Sequence, residues 1–149
     1  MTSAETRRAL AQKLPTVARL WHQLADVTLA EFGVSNSAAW CLLYVDRLGP
    51  DVRQTELAEH LEIAQPSLVR TLHLLEGNDL LERVPDPEDR RSNRIGLTAQ
   101  GQELVGRIEA KLDALRLSLL DGVDEADVAA AVRLLDLLSR RIMEQRGRP

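Results

Sequence analysis

The 149-residue sequence predicts a mainly α-helical fold with one small β-hairpin wing. Three observations carry this expectation. Long stretches at both ends repeat apolar residues at three- and four-residue steps, the period of an amphipathic helix. Two short helical segments, Thr55–Leu61 and Gln65–Glu76, are separated only by Glu62-Ile63-Ala64. Two β-prone runs, Leu80–Val84 and Asn93–Leu97, then flank the charged loop Pro85–Ser92.

Composition sets the outer bounds. Apolar residues make up 44% and charged residues 28%, as in a soluble globular domain, so residues 1–149 are expected to form one domain. Aromatic residues are only 3%, which leaves Leu, Val, Ile and Ala to build the core. The longest apolar run, Ala38–Val45, is far too short to span a bilayer, so no membrane partner is expected. Met1–Arg8 has no apolar stretch behind it that would make a secretory signal. One cysteine forms no internal disulfide, in keeping with a cytoplasmic location.

The elements follow in order. From about Ala4 to Glu31, Leu10, Leu14, Val17, Trp21 and Leu24 make one apolar stripe. Pro15 interrupts it, predicting a kink or a restart near Lys13. Gly33 is the candidate C-cap, and Ser35, Asn36 or Ser37 caps a second helix that stops at Gly49-Pro50. Trp40–Val45 is apolar on most sides, implying burial against more than one neighbour. In the helix pair, Ala58 is the small residue at the crossing, and Leu61 and Leu68 are apolar plugs. Glu62 stands in the turn where glycine is common. Leu68, Leu72 and Leu75 should be buried, leaving Gln65, Ser67, Arg70, Thr71 and His73 on or beside the opposite face, with Pro66 in the first turn. Thr98 should cap a helix striped by Leu104, Ile108, Leu112, Leu115 and Leu119. Asp124 should cap a last one striped by Val128, Ala131, Val132, Leu135, Leu138 and Ile142, and Arg146–Pro149 should be a disordered tail.

A helix pair followed by a β-ribbon is the pattern of a winged helix-turn-helix, here residues 35–98, and it suggests binding to double-stranded DNA. Short polar side chains with one Arg on the second helix are suited to base edges and phosphates in the major groove. The net charge of −4 and pI near 5.4 weigh against a generic nucleic-acid coat protein. They do not weigh against a reader whose positive charge is local.

The segment Asp86-Pro-Glu-Asp-Arg-Arg-Ser-Asn-Arg-Ile-Gly-Leu-Thr-Ala-Gln-Gly101 resembles the wing of the MarR family of bacterial transcriptional regulators. The matching positions are Asp89, Arg91, Leu97, Thr98 and Gly101, and the likeness extends over nearly the whole chain. The resemblance implies that Arg91 enters the minor groove and that Asp89 fixes its guanidinium. Arg90 and Arg94 would then be available for phosphates. It also implies a homodimer built from helical regions 4–31 and 99–146, a palindromic operator, most often a repressor role, and an effector pocket between the dimer region and the reading head. Half-sites would lie about 10 base pairs apart, centre to centre.

Other residues invite competing readings. Trp21, His22, Trp40 and Tyr44 are the candidate lining of a pocket for a small aromatic or phenolic effector, although Trp21 and Trp40 fit core or dimer interface better. Cys41 sits among Trp40, Leu42 and Leu43, which suits an inert core thiol better than a redox sensor. His22, His60 and His73 lack metal-ligand spacing, so no metal or other cofactor is expected. No catalytic motif is present, and no enzyme is expected. The rival is a ligand- or protein-binding module that kept the fold and lost DNA binding.

Overall fold

The computed structural model describes residues 2–147. Its elements are α1 (Ser3–Leu29), a 3-10 turn (Ala30–Phe32), α2 (Asn36–Leu48), β1 (Val52–Arg53), α3 (Gln54–Leu61), α4 (Gln65–Gly77), β2 (Leu81–Pro85), β3 (Asn93–Leu97), α5 (Ala99–Leu119) and α6 (Glu125–Arg146). Arg148 and Pro149 of the expected tail lie outside the described residues. Arg146 is still helical, with Gly147 as its cap.

The helix starts follow local chemistry. Thr2 and Glu5 form a reciprocal capping box on α1, with Thr2 N–H donating to the Glu5 carboxylate at 2.7 Å. Ser35 caps α2 and Asp124 caps α6. Of the kink or restart expected near Pro15, the restart does not occur, and α1 runs through the proline. The ring removes one backbone donor there, and Ala11, whose carbonyl loses that partner, is exposed and can be hydrated.

The chain divides after Asp113 into two compact units. The first unit takes in α1 and the first half of α5 together with the reading head. From α5, Gly101, Val105, Ile108 and Leu112 are all buried. In this first unit, α2 is the central helix, with Ala38, Ala39, Cys41, Leu42, Leu43 and Val45 buried. It packs against α1, α3, α4 and β3. From α4 come Leu68, Leu72 and Leu75, the three residues expected there. The sheet has the antiparallel order β1-β3-β2, with Val52 opposite Ile95 and Arg83 opposite Ile95 on the other side. The two-residue strand β1 was not foreseen.

The apolar stripe of α1 is not its core face. Only Ala25 and Leu29 are buried, while Val17, Leu20, Trp21, Leu24 and Val27 are exposed, Val27 to 69%. In the second unit, residues 114–147, nothing is buried in α6, and Val132, Leu135, Ile142 and Met143 are exposed. Leu117, in the last turn of α5, is 75% exposed. Among the described residues no helix is long and apolar enough to cross a membrane.

The junction between the wing and α5 explains two of the motif residues. Thr98 donates its backbone N–H to the Leu80 carbonyl at 3.2 Å and its hydroxyl to the Asp79 carbonyl. Its hydroxyl oxygen also accepts the Gly101 N–H at 3.0 Å, capping α5. A Cβ at Gly101 would collide with the Leu80 carbonyl oxygen, a backbone atom that cannot swing aside. Gly106, one turn on, has open space around the same position. Gly101→Ala should therefore destabilise the protein by about 1–3 kcal/mol through overpacking, while Gly106→Ala should be tolerated. Thermal melting of the two variants beside the parent checks this.

Candidate nucleic-acid interface

The reading head is assembled from α3, α4 and the sheet. The turn between the helices is tight because Glu62 adopts φ +53°, the left-handed conformation usually left to glycine. For a residue with a Cβ this costs about 1 kcal/mol, which the packing of Leu57 and Ala58 on one side and Leu68 on the other must offset. Burial of Leu68, Leu72 and Leu75 turns the rest of α4 outward. Gln65, Pro66, Ser67, Arg70 and His73 are exposed, and Thr71 is half-buried with its hydroxyl donating to the Ser67 carbonyl at 3.2 Å. The Gln65 side chain accepts a hydrogen bond from Gln54 at 3.3 Å. Leu74, 54% exposed on the outer side of α4, was not anticipated.

Two sets of ion pairs anchor the wing. On one side, Arg83 of β2 grips Glu76 of α4 in a bidentate pair, Nε at 2.7 Å and Nη2 at 2.6 Å. This hydrogen bonding lowers the Glu76 pKa and raises that of Arg83. On the other side lies Asp86, the buried charged residue of the core, only 1% exposed. Its Oδ1 accepts the Glu88 backbone N–H at 3.0 Å and lies 3.2 Å from Arg94 Nη2. Its Oδ2 lies 3.1 Å from Arg53 Nε, an ion pair without hydrogen-bond alignment. The Glu88 N–H, then Arg94 and Arg53, hold the Asp86 carboxyl below its ordinary value of 3.8.

The structure shows other contacts for two of the expected wing residues. The Arg94 guanidinium, expected to be available for a phosphate, is engaged by Asp86 and, through Nη1 at 2.9 Å, by Asp51. Asp89, expected to fix the Arg91 guanidinium, meets the Arg91 backbone. Its carboxylate accepts the Arg91 backbone N–H at 3.0 Å, shaping the loop instead of clamping the side-chain tip. Arg90 and Arg91 are exposed, and neither guanidinium has an ionic partner among the described residues. The anchoring of Arg94 could not be read from the sequence, since Asp51 lies in the turn before β1, a strand too short to show a period.

A cleft of about 480 Å³ lies beside the head, lined by His22 and Asp26 of α1, Trp40 and Tyr44 of α2, and His60 and Ile63 around the helix-pair turn. Trp40 donates its indole N–H to Asp26 at 2.7 Å and stacks on His22 with ring centroids 4.5 Å apart. Tyr44 is 6.1 Å from His60. The structure thus brings together His22, Trp40 and Tyr44 of the four expected pocket residues. It leaves out Trp21, which is 39% exposed and does not line the cleft. It adds His60, whose place depends on how α3 crosses α2. Cys41 is fully buried, and burial pushes its thiol up to about 12, so it stays protonated and inert under ordinary conditions.

A model of the MarR family matches residues 32–92, from the turn before α2 to the tip of the wing. The transcriptional regulator PA3341 is 30% identical, with a TM-score of 0.79 over 91% of this chain and 98% of that one. The chain belongs to the MarR family. A crystal structure of MarR is 25% identical, with a TM-score of 0.75 over 93% of each chain. The transcriptional repressor CouR, solved bound to a 23-mer DNA duplex, shares the fold at 24% identity, with a TM-score of 0.72 over 93% of this chain and 98% of that one. This chain therefore has the fold of the MarR-family transcriptional regulators, and the motif of Asp89, Arg91, Leu97, Thr98 and Gly101 lies on their wing and its junction with α5.

The Asp86 cluster carries a pH signature. A carboxyl held below its ordinary value contributes stability that is present above 3.8 and is lost as pH falls through the lower folded value. The stability difference between the parent and Asp86→Asn should therefore stay constant at higher pH and shrink in acid. Denaturant titrations of both proteins in a series of buffers check the sign.

Proposed function

We propose that this MarR-family chain is a sequence-specific DNA-binding transcriptional regulator, acting as a homodimeric, ligand-responsive repressor on a palindromic operator. One observation carries the reading. A single head presents the exposed polar face of α4 together with a wing tip whose Arg90 and Arg91 have no ionic partner among the described residues. A charged side chain held out on a short anchored loop suits a narrow groove of negative potential, and Arg is the residue most often drawn into one. Gln65, Ser67, Arg70 and Thr71 would read the major groove. Pro66 and His73 would lie against it, Arg91 would enter the minor groove, and Arg90 would meet a phosphate.

The dimer reading rests on exposed apolar residues. Val17, Leu20, Trp21, Leu24 and Val27 are exposed along α1, and Val132, Leu135, Ile142 and Met143 are exposed along α6; exposed apolar stripes of this kind suit a protein–protein contact. A second copy would cover it and supply a second head for the other half-site. The repressor role takes its support from CouR, which is described as a repressor and was solved on DNA. A cytoplasmic location follows from the same reading.

Arg91→Ala should weaken operator binding about tenfold or more and leave melting and oligomeric state unchanged. Fluorescence anisotropy against upstream DNA and a scrambled duplex checks it. Equal, salt-sensitive binding to both duplexes by the parent would instead favour a module that has lost specific DNA binding.

The cleft is the proposed effector site. Its stacked Trp40 and His22, with Tyr44 and His60 beside them, suit a planar aromatic or phenolic ligand. Because it joins α1 to the helix-pair turn, an occupant could bias the head between two settings. In Trp21→Phe, Trp40 is the remaining tryptophan. Titration with a hydroxybenzoate should change its emission at the concentrations that release the operator. Release without an emission change would move the effector site elsewhere.

A further inference from the structure

We propose that Asp86 is a positioning residue for DNA recognition. It sets where Arg91 stands relative to α4, by locking the wing tip to the strand that leads into α3. The proposal rests on the reading of Arg91 as the groove-entering side chain.

The wing tip, residues 86–92, is a loop closed at its base. The Asp86 N–H donates to the Ser92 carbonyl at 2.9 Å, and the Ser92 N–H donates to the Asp89 carbonyl at 3.0 Å. Asp89 in turn holds the Arg91 backbone N–H. These hydrogen bonds form a chain from the Arg91 backbone through Asp89 and Ser92 to the Asp86 backbone. The Asp86 carboxylate joins this loop to the rest of the head. It is paired with Arg94 of β3 and with Arg53, the residue just before α3, and Asp51 holds Arg94 from the far side. Arg53 and Arg94 face each other across the β1–β3 pair, so both positive charges converge on one carboxylate from adjacent strands.

A buried ion pair is a poor source of net stability, since desolvation consumes much of the Coulomb energy. Its directional value is greater. A carboxylate held by the Glu88 N–H and flanked by two guanidinium groups is tied to one place, and the loop that carries it must follow. An Arg on a wandering loop would lose more freedom on entering a groove than one already in place. Asp89 was expected to provide this order, but it touches only the backbone of Arg91. The anchor to the rest of the head lies three residues earlier, at Asp86.

The test is a double-mutant cycle on the full chain, read by anisotropy with the operator. Each variant is also assayed on an operator whose A·T pairs beneath the wing are changed to G·C. Asp86→Asn keeps the shape and the acceptor for Glu88 but removes the charge. It should weaken binding by about as much as Arg91→Ala, roughly tenfold, and the double variant should be little weaker than either alone. Asp86→Asn should also lose the preference for A·T beneath the wing while retaining discrimination at the major-groove positions read by α4. A purely structural role would lower both together.

If Asp86→Asn fails to fold, Arg94→Gln carries the test, because its side chain is 27% exposed and its removal is milder. Non-additivity with Arg91→Ala is again expected. Additive losses for either variant would overturn the proposal, and for Arg94 they would indicate direct phosphate contact. Full affinity in Asp86→Asn, with Arg91→Ala impaired, would also overturn it while leaving the wing reading intact. Unchanged affinity in Arg91→Ala would remove the wing from recognition and the positioning role with it.

Discussion

The packing of α2 against α4 is the constraint on which the reading head depends. Leu42, Leu43 and Cys41 on one helix and Leu68, Leu72 and Leu75 on the other are buried almost completely. With so few aromatic residues, the core relies on the close fit of branched aliphatic chains, where even one lost methylene is felt. This burial decides which side of α4 faces outward. It also draws α3 across α2 closely enough to place His60 near Tyr44, and forces Glu62 into a left-handed turn. The reading surface and the cleft are thus two consequences of one packing arrangement.

Charge then does what apolar packing leaves undone. A two-stranded ribbon extending from a small head has little apolar surface of its own to fix its angle. Two ion-pair sets supply the direction, Glu76–Arg83 toward α4 and Asp86 with Arg53 and Arg94 toward β1. They divide the basic residues of the wing into two groups. Arg83 and Arg94 are consumed in holding it, while Arg90 and Arg91 remain at its tip. An acidic protein can in this way keep a local positive point for a phosphate-lined groove, since what matters there is the field at the tip and not the sum over the chain.

The helices were legible through their periods and, for several, a capping side chain. Ser35, Thr98 and Asp124 start their helices where their side chains predict, and Leu68, Leu72 and Leu75 form the inner face that their spacing implies. The sequence was less informative about what each stripe packs against. The α1 stripe is open within one chain, and the helix is anchored by Ala25 and Leu29 near its end. Periodicity reports that a surface is apolar and is silent on whether it is covered within the same chain. Pro15 does not restart the helix, because an exposed helix can leave one carbonyl to water at small cost.

By itself, the sequence determined the order of the helices and of the two wing strands, the inner face of the second helix of the pair, and a wing motif ordered enough to point to its family. These are local properties, set by spacing, capping and turn chemistry within a few residues. Tertiary structure alone decided that Arg94 is an anchor and Arg91 is not, that Asp86 is buried, and that His60 joins His22, Trp40 and Tyr44 around one cleft. The reason is physical. A charge's role depends on its partners and its exposure, and those partners, Asp51 and Arg53 for the wing and α1 for the cleft, come from chain segments tens of residues away that only folding brings together.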